Sequence, residues 1–255
     1  MKRFVKIYTY WLLGILLFTG CDDYLKEDSG DLLIPGKVEE FLPMLYREGF
    51  PRNFNDEVAW LYLMTDDVEM GQLELDPEDE ANDTRDKNSS DAFNVGEGEE
   101  PYKWEREIKS YADNFWERRY GNILACNLVI DALPEMEYVE ADSGNYNFLA
   151  AQAYALRAYN YWCLVNSYAL PWSKENLDKP GVIIRMEPQI NISPRGRSSI
   201  REVYDLINED IEKAEKYINI ATFDGNIHRL SEPAILLLAS RIALFQENWD
   251  EVIRT

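Results

Sequence analysis

From Ser110 to its last residue this chain repeats apolar side chains at helical spacing, one segment after another, and that periodicity confines it to a mostly α fold. Trp116, Tyr120, Ile123 and Asn127 step by four, three and four, which places them on one face of a helix that Pro134 ends. A second helix is expected from Tyr146 to Tyr168, with Ala151, Tyr154, Ala158, Tyr161 and Val165 on one stripe and Pro171 closing it. The third opens on a capping box, Ser199 and Glu202, and turns Ile200, Val203, Ile207, Ile211, Ala214 and Ile218 inward. The fourth begins near Ser231, has Pro233 in its first turn and carries Ile235, Leu238, Ile242 and Phe245. An earlier helix is expected from Lys37 to about Glu48, bent at Pro43. No stretch shows sustained two-residue alternation between turn signals. The small residues Ala150, Ala151, Ala155, Ala158, Ala234, Ala239 and Ala243 allow close helix approach, as stacked helix hairpins of the tetratricopeptide type require. Trp249, Val252 and Ile253 start one more amphipathic helix, and a single helix of a hairpin cannot bury its apolar face alone. The natural domain is therefore expected to continue past residue 255, with this chain a fragment of it.

The first twenty residues follow a different logic. Lys2, Arg3 and Lys6 precede an uncharged run from Ile7 to Phe18. Twelve residues make a helix of only about 18 Å, against a hydrocarbon core of roughly 30 Å, so the run reads as a secretory signal rather than a membrane span. Residues 1–20 are expected to be removed. Leu17, Phe18, Thr19 and Gly20 then lead into Cys21 in the order of a bacterial lipobox, with Phe18 a mild departure from the usual aliphatic residue. Cys21 is expected to become the acylated first residue. Several acyl chains, at about 0.8 kcal/mol per buried methylene, hold a protein on a membrane without crossing it. Residues 21–36 form a polar tether, leaving 37–255 as the folded body.

Charge excludes a class of partner. Cleavage takes the formal net charge from −21 to −24, because Lys2, Arg3 and Lys6 leave with the signal. Nucleic acid needs a basic footprint that this composition lacks. Between Asp66 and Glu100 stand 14 acidic residues against Arg85 and Lys87, with Gly, Pro, Asn and Ser among them, the pattern of long surface loops. Asp76, Asp79 and Asp83 could suggest a calcium loop, but the EF-hand order and its glycine are absent. Cys126 and Cys163 fall in apolar helical stretches without metal-ligand spacing and read as buried thiols. The single histidine, His228, sits in a turn after Asp224 and Gly225, so a zinc site or a histidine triad would need unusual partners. No carboxylate pair stands in a recognisable glycosidase context. No enzyme, metal or cofactor is expected.

The helical segments also carry a recognisable text. Trp116, Tyr120, Ile123 and Asn127; then Ala153, Leu156, Arg157, Ala158, Tyr161, Leu164, Tyr168 and Pro171; then Arg197, Ser199, Glu202, Tyr204, Ile207, Asp210 and Ala214; and finally Arg229, Ala234, Leu237, Leu238, Ala239, Arg241, Leu244 and Trp249 form four ordered blocks. Behind a lipobox, this order resembles the N-terminal half of the SusD/RagB family. Ala169, where the family usually has glycine, and Ser240 are departures at turn or packing positions. The resemblance implies a surface lipoprotein of the outer membrane that captures oligosaccharides, or in some members peptides. It further implies a partner, a SusC-like TonB-dependent transporter that the protein caps as a lid, and no chemistry on the ligand. The alternative is a helical-repeat adaptor whose groove binds a peptide or protein.

Sugars present flat apolar faces ringed by hydroxyls, so their sites need aromatic plates edged by amides, carboxylates or guanidinium groups. Outside the helix stripes the candidates are Tyr102 and Trp104, Trp60 and Tyr62, and Trp172 beside Pro171, with Asn88 and Asp91 as hydroxyl partners. Trp116, Tyr154, Tyr161 and Trp162 are expected to be core. Arg157 is expected to anchor a buried ion pair or carbonyl contacts, and Asn127 to satisfy a backbone group. Arg185, Arg195, Arg197 and Arg201 read as a solvated face or a transporter contact rather than a site for acidic glycans.

Overall fold

The structure, a computed structural model, describes residues 37–51, 103–104, 115–136, 138, 140–190, 193–223 and 225–255, and among these residues there are six α-helices. They are α1 (Val38–Glu48), α2 (Phe115–Ala132), α3 (Ser143–Tyr168), α4 (Ile200–Ile218), α5 (Glu232–Phe245) and α6 (Trp249–Arg254). The only β-pairing among the described residues is an isolated bridge between Pro180 and Ser199. The mostly α expectation holds, and the helix boundaries fall close to the sequence signals.

The local causes are visible at each end. Ser199 and Glu202 form the expected reciprocal capping box at the start of α4: the Glu202 N–H donates to Ser199 Oγ at 3.2 Å, and the Ser199 N–H donates to Glu202 Oε2 at 2.7 Å. Pro134 stops α2 as expected, and the chain passes into the 3-10 turn Leu133–Glu135. Pro43 lies inside α1, which continues through it to Glu48 and buries Val38, Phe41 and Leu45. α3 begins three residues before the expected Tyr146. Gly144 at its first turn lies so close to Thr222 that a Cβ there would stand 2.0 Å from Thr222 Oγ1.

α3 is the central element. Its residues enter all three apolar clusters: one with α1 and α2, one with α2, α4 and α5, and one with α4 and α5. The predicted stripe is therefore only part of its buried surface, because the helix is covered on nearly every side. Ala150, Ala151, Ala153, Ala155 and Ala158 have no solvent exposure, which lets α4 and α2 approach closely. Tyr161 and Trp162 are core as expected, whereas Trp116 and Tyr154 are half-buried and packed against core clusters from the side. Cys126 is buried, Cys163 is half-buried, and neither is in a disulfide.

One expectation about the last helices needs correction: Phe245, expected on the inward stripe of α5, is 43% exposed, meeting Trp162 edge-on at 5.0 Å between centroids. On α6, Trp249 and Ile253 are exposed, as are Leu237 and Leu244 on α5. Among the described residues no helix is long and apolar enough to cross a membrane.

Candidate functional site

Between α3 and α4 the chain runs from Pro180 to Glu187 without helix or bend, then bends at Pro188 and Gln189, and this segment to Ile190 forms one wall of a cleft against α2. Its base is pinned by Gly181 and Val182 pairing with Ser198, at 2.7 and 2.9 Å, beside the Pro180–Ser199 bridge. Farther along it has no strand partner among the described residues. In an extended chain the carbonyls of alternate residues point the same way, and those of Ile183, Arg185 and Glu187 point at the helices. Side chains from α2 and α3 meet them. Tyr120 Oη donates to Ile183 O at 2.7 Å. Asn127 Nδ2 donates to Arg185 O at 3.0 Å and to Glu187 O at 3.2 Å. Tyr161 Oη donates to Arg185 O and accepts from the Arg185 N–H, each at 2.8 Å.

These hooks are themselves fixed from behind. Arg157 donates through Nη1 to Asn127 Oδ1 at 2.9 Å, so the Asn127 amide can only turn its Nδ2 toward the wall. Arg157 in turn holds the buried Asp210 through Nε and Nη2, both at 2.7 Å. The ion pair expected for Arg157 and the backbone contact expected for Asn127 are thus two links of one network that reaches from α4 to the wall.

The same alternation turns Ile183, Arg185, Glu187 and Gln189 into the cleft, while Val182 and Ile184 pack on the core. Trp116, Glu117, Tyr120 and Asn127 face them from α2 across a cavity of about 470 Å³. Trp116 is braced by Tyr120 at 5.0 Å and by the edge of Tyr168 at 4.9 Å, with the Arg197 guanidinium 5.8 Å from its ring. Glu187 pairs with Arg195 through Oε1, and hydrogen bonds from the backbone and from Arg195 hold its carboxyl below the usual range. Aromatic surface bordered by carboxylates, amides and a guanidinium is chemistry suited to a polyhydroxylated ligand.

Of the residues singled out in the sequence, Trp104 is 68% exposed, with its backbone in the left-handed region at φ 55°. Trp172 is half-buried, its ring edge-on to Tyr204 at 4.6 Å, and it lines a separate cavity of about 390 Å³ with Asn208 and Gln246. Trp60, Tyr62, Asn88, Asp91 and Tyr102 lie outside the described residues, as do Cys21 and the acidic Asp76, Asp79 and Asp83. His228 is on an exposed turn. Arg195, Arg197 and Arg201 of the arginine cluster are exposed, and each member also meets a partner within the chain: Arg185 donates to Ser193 O, Arg195 to Glu187, Arg197 to the carbonyls of Tyr168 and Gly181, and Arg201 to Asp178. Reasoning from helix periodicity missed the wall. Its signal was the short polar alternation Arg185, Glu187, Gln189.

The comparisons give this helical platform a family. The model of a SusD-like family described as "Starch-binding associating with outer membrane" matches residues 50–244, so the chain belongs to the SusD-like family. A SusD-like protein of Formosa agariphila is 31% identical over 119 residues, which cover 46% of this chain and 20% of that protein. The crystal structure of a SusD superfamily protein from Bacteroides fragilis superposes with a TM-score of 0.60 at 20% identity, covering 85% of this chain and 47% of that one. A laminarin-binding SusD-like protein gives 0.56 at 19% identity, covering 84% and 41%. At such identities the two structures speak for the fold. The chain spans less than half the length of each of these relatives.

Proposed function

We propose that this chain is the capturing part of a surface glycan-binding lipoprotein, with the cleft between α2 and the Ile183–Ile190 wall as its saccharide site. The observation that carries the reading is the pairing of Trp116 and Tyr120 with the polar edge Glu117, Glu187 and Gln189 in one cavity, in a chain of the SusD-like family. One stacked sugar face covers about 60 Å² of apolar surface and contributes on the order of 1.5 kcal/mol, whereas micromolar binding needs about 8 kcal/mol. A site must therefore combine several contacts, and the cleft provides them. Trp104, exposed at 68%, is an accessory plate, with Tyr102, Trp60, Tyr62, Asn88 and Asp91 as further candidate contacts and Trp172 in a cavity of its own.

In this reading the ligand is held without being cut and passed to a TonB-dependent transporter, while acylated Cys21 keeps the protein on the outer membrane. Titration calorimetry against a panel of oligosaccharides tests the capture step. Trp116→Ala is expected to weaken binding roughly tenfold, as the loss of one stack implies. Unchanged affinity in that variant removes the cleft from the proposal. New reducing ends on incubation with the same panel contradict a pure binder, and an unmodified Cys21 in the mature product contradicts the anchor.

A further inference from the structure

We propose that Arg197 is a positioning residue of the cleft: it holds the Trp116 ring at the base of the wall, from outside the ligand space, and so sets the plate on which a saccharide face stacks. The inference rests on the saccharide reading above and adds to it a residue that the sugar itself does not touch. Trp116 and Tyr120 line the cavity, whereas Arg197 and Tyr168 do not. Both nevertheless reach the indole. Tyr168 meets it at 86° with 4.9 Å between centroids, and the Arg197 guanidinium carbon stands 5.8 Å from the ring centroid. A guanidinium so placed is attracted by the ring quadrupole and presents a plane to it.

The same guanidinium is tied down at two further points. Its Nη1 donates to the Tyr168 carbonyl at 2.9 Å and to the Gly181 carbonyl at 3.3 Å. Tyr168 is the last residue of α3, where carbonyls lack a helical partner and a cation is favoured by the helix dipole. Gly181 stands at the base of the wall, packed so closely on the next strand of chain that a Cβ there would lie 3.1 Å from Ser198 O. One side chain therefore joins the end of α3, the base of the wall and the α2 plate. Its neighbours are used differently: Arg195 and Arg201 pair with the carboxylates of Glu187 and Asp178, whereas Arg197 makes no ion pair among the described residues and spends its charge on the carbonyls and the ring. An indole free to swing has to be ordered by the ligand, which costs affinity; a ring already held avoids that cost.

The test is calorimetric titration of the whole chain and its variants with pools of gluco- and manno-oligosaccharides. Arg197→Gln is expected to weaken binding about three- to fivefold, less than Trp116→Ala because it acts only through that ring. Arg197→Lys should fall between, since an ammonium reaches a carbonyl but offers the ring no plane. Arg201→Gln, which removes an arginine paired elsewhere, should leave affinity unchanged. In a Trp116→Ala background Arg197→Gln should have no further effect, because the ring to be positioned is gone. An equal loss in both backgrounds, or no loss in either, overturns the proposal while leaving saccharide capture standing. A second measurement needs no ligand. With 5-fluorotryptophan incorporated, the Trp116 fluorine resonance, identified by its disappearance in Trp116→Phe, should shift and broaden in Arg197→Gln while that of Trp249 stays in place. A Trp116 resonance that does not move overturns the proposal. Failure of every pool to bind the unaltered chain overturns the saccharide reading itself, and the fluorine spectrum still decides whether Arg197 holds the ring.

Discussion

Arg157 on α3 and Asp210 on α4 meet in a two-pronged pair inside the helical core, Nε on Oδ2 and Nη2 on Oδ1, each at 2.7 Å and both side chains almost free of solvent. Removing one partner strands the other charge where water cannot reach it. Asp210→Ala or Arg157→Ala is therefore expected to cost about 3–5 kcal/mol, whereas the apolar double variant Arg157→Met with Asp210→Leu should recover much of that loss. Binding should not recover with it, since the double variant lacks the Arg157 donor to Asn127 Oδ1. A denaturant double-mutant cycle alongside ligand titration separates the two effects.

Asn127→Ala withdraws the donor shared by the Arg185 and Glu187 carbonyls. The expected cost is about 1–3 kcal/mol, with faster amide exchange over residues 183–189 and weaker ligand binding. Exchange that accelerates equally across the whole molecule would show that Asn127 supports the fold in general and not the wall.

At Gly144 the obstacle is Thr222. A Cβ would sit 2.0 Å from its Oγ1 and 2.8 Å from its Cβ, both short and close to the backbone. Gly144→Ala is expected to lower stability by about 1–3 kcal/mol, and combining it with Thr222→Gly should restore much of the loss. Thermal melting of the single and double variants checks this.

Alkaline stability follows from burial. Burial pushes the Cys126 thiol up to about 12 from its ordinary 9. It pushes the Tyr120 phenol up to about 12 from 10. For each group the unfolded chain gives up its proton first. Their contribution is complete below the unfolded values and is lost as pH rises toward 12, at up to about 1.4 kcal/mol per pH unit per group. Unfolding free energy measured from pH 8.5 to 11 should fall less steeply in Cys126→Ala.

Ser199→Ala removes the side-chain half of the capping box on α4. A loss of about 0.5–2 kcal/mol is expected, concentrated in amide exchange of the first turn of α4. An undiminished melting temperature contradicts it.

Periodicity and capping chemistry made the helices legible. The α4 stripe from Ile200 to Ile218 is buried at every residue named for it, because a helix packed on one side prints its burial as a 3.6-residue rhythm. α3 was read less completely for the opposite reason: a helix covered on most sides blurs that rhythm, so Leu149, Leu156 and Leu164 were not assigned inward although all three are buried. Arg157 was legible as a charge among alanines. Its route to the cleft was not, since Asp210 and Asn127 approach it only through tertiary contacts 53 and 30 residues apart in sequence. The wall from Ile183 to Ile190 gave the weakest signal, because an extended segment tied by side chains lacks the partner strand and turn that mark a hairpin.

That wall separates two tasks that a β-sheet would couple. Its path is dictated by groups that grip its carbonyls, and that grip does not depend on which side chain each residue carries. Positions 185, 187 and 189 can therefore be exchanged to redraw the recognition surface while Tyr120, Asn127 and Tyr161 keep the chain on course. A platform built this way can be given a new clientele by replacing a few forward-facing residues, with the scaffold behind left intact.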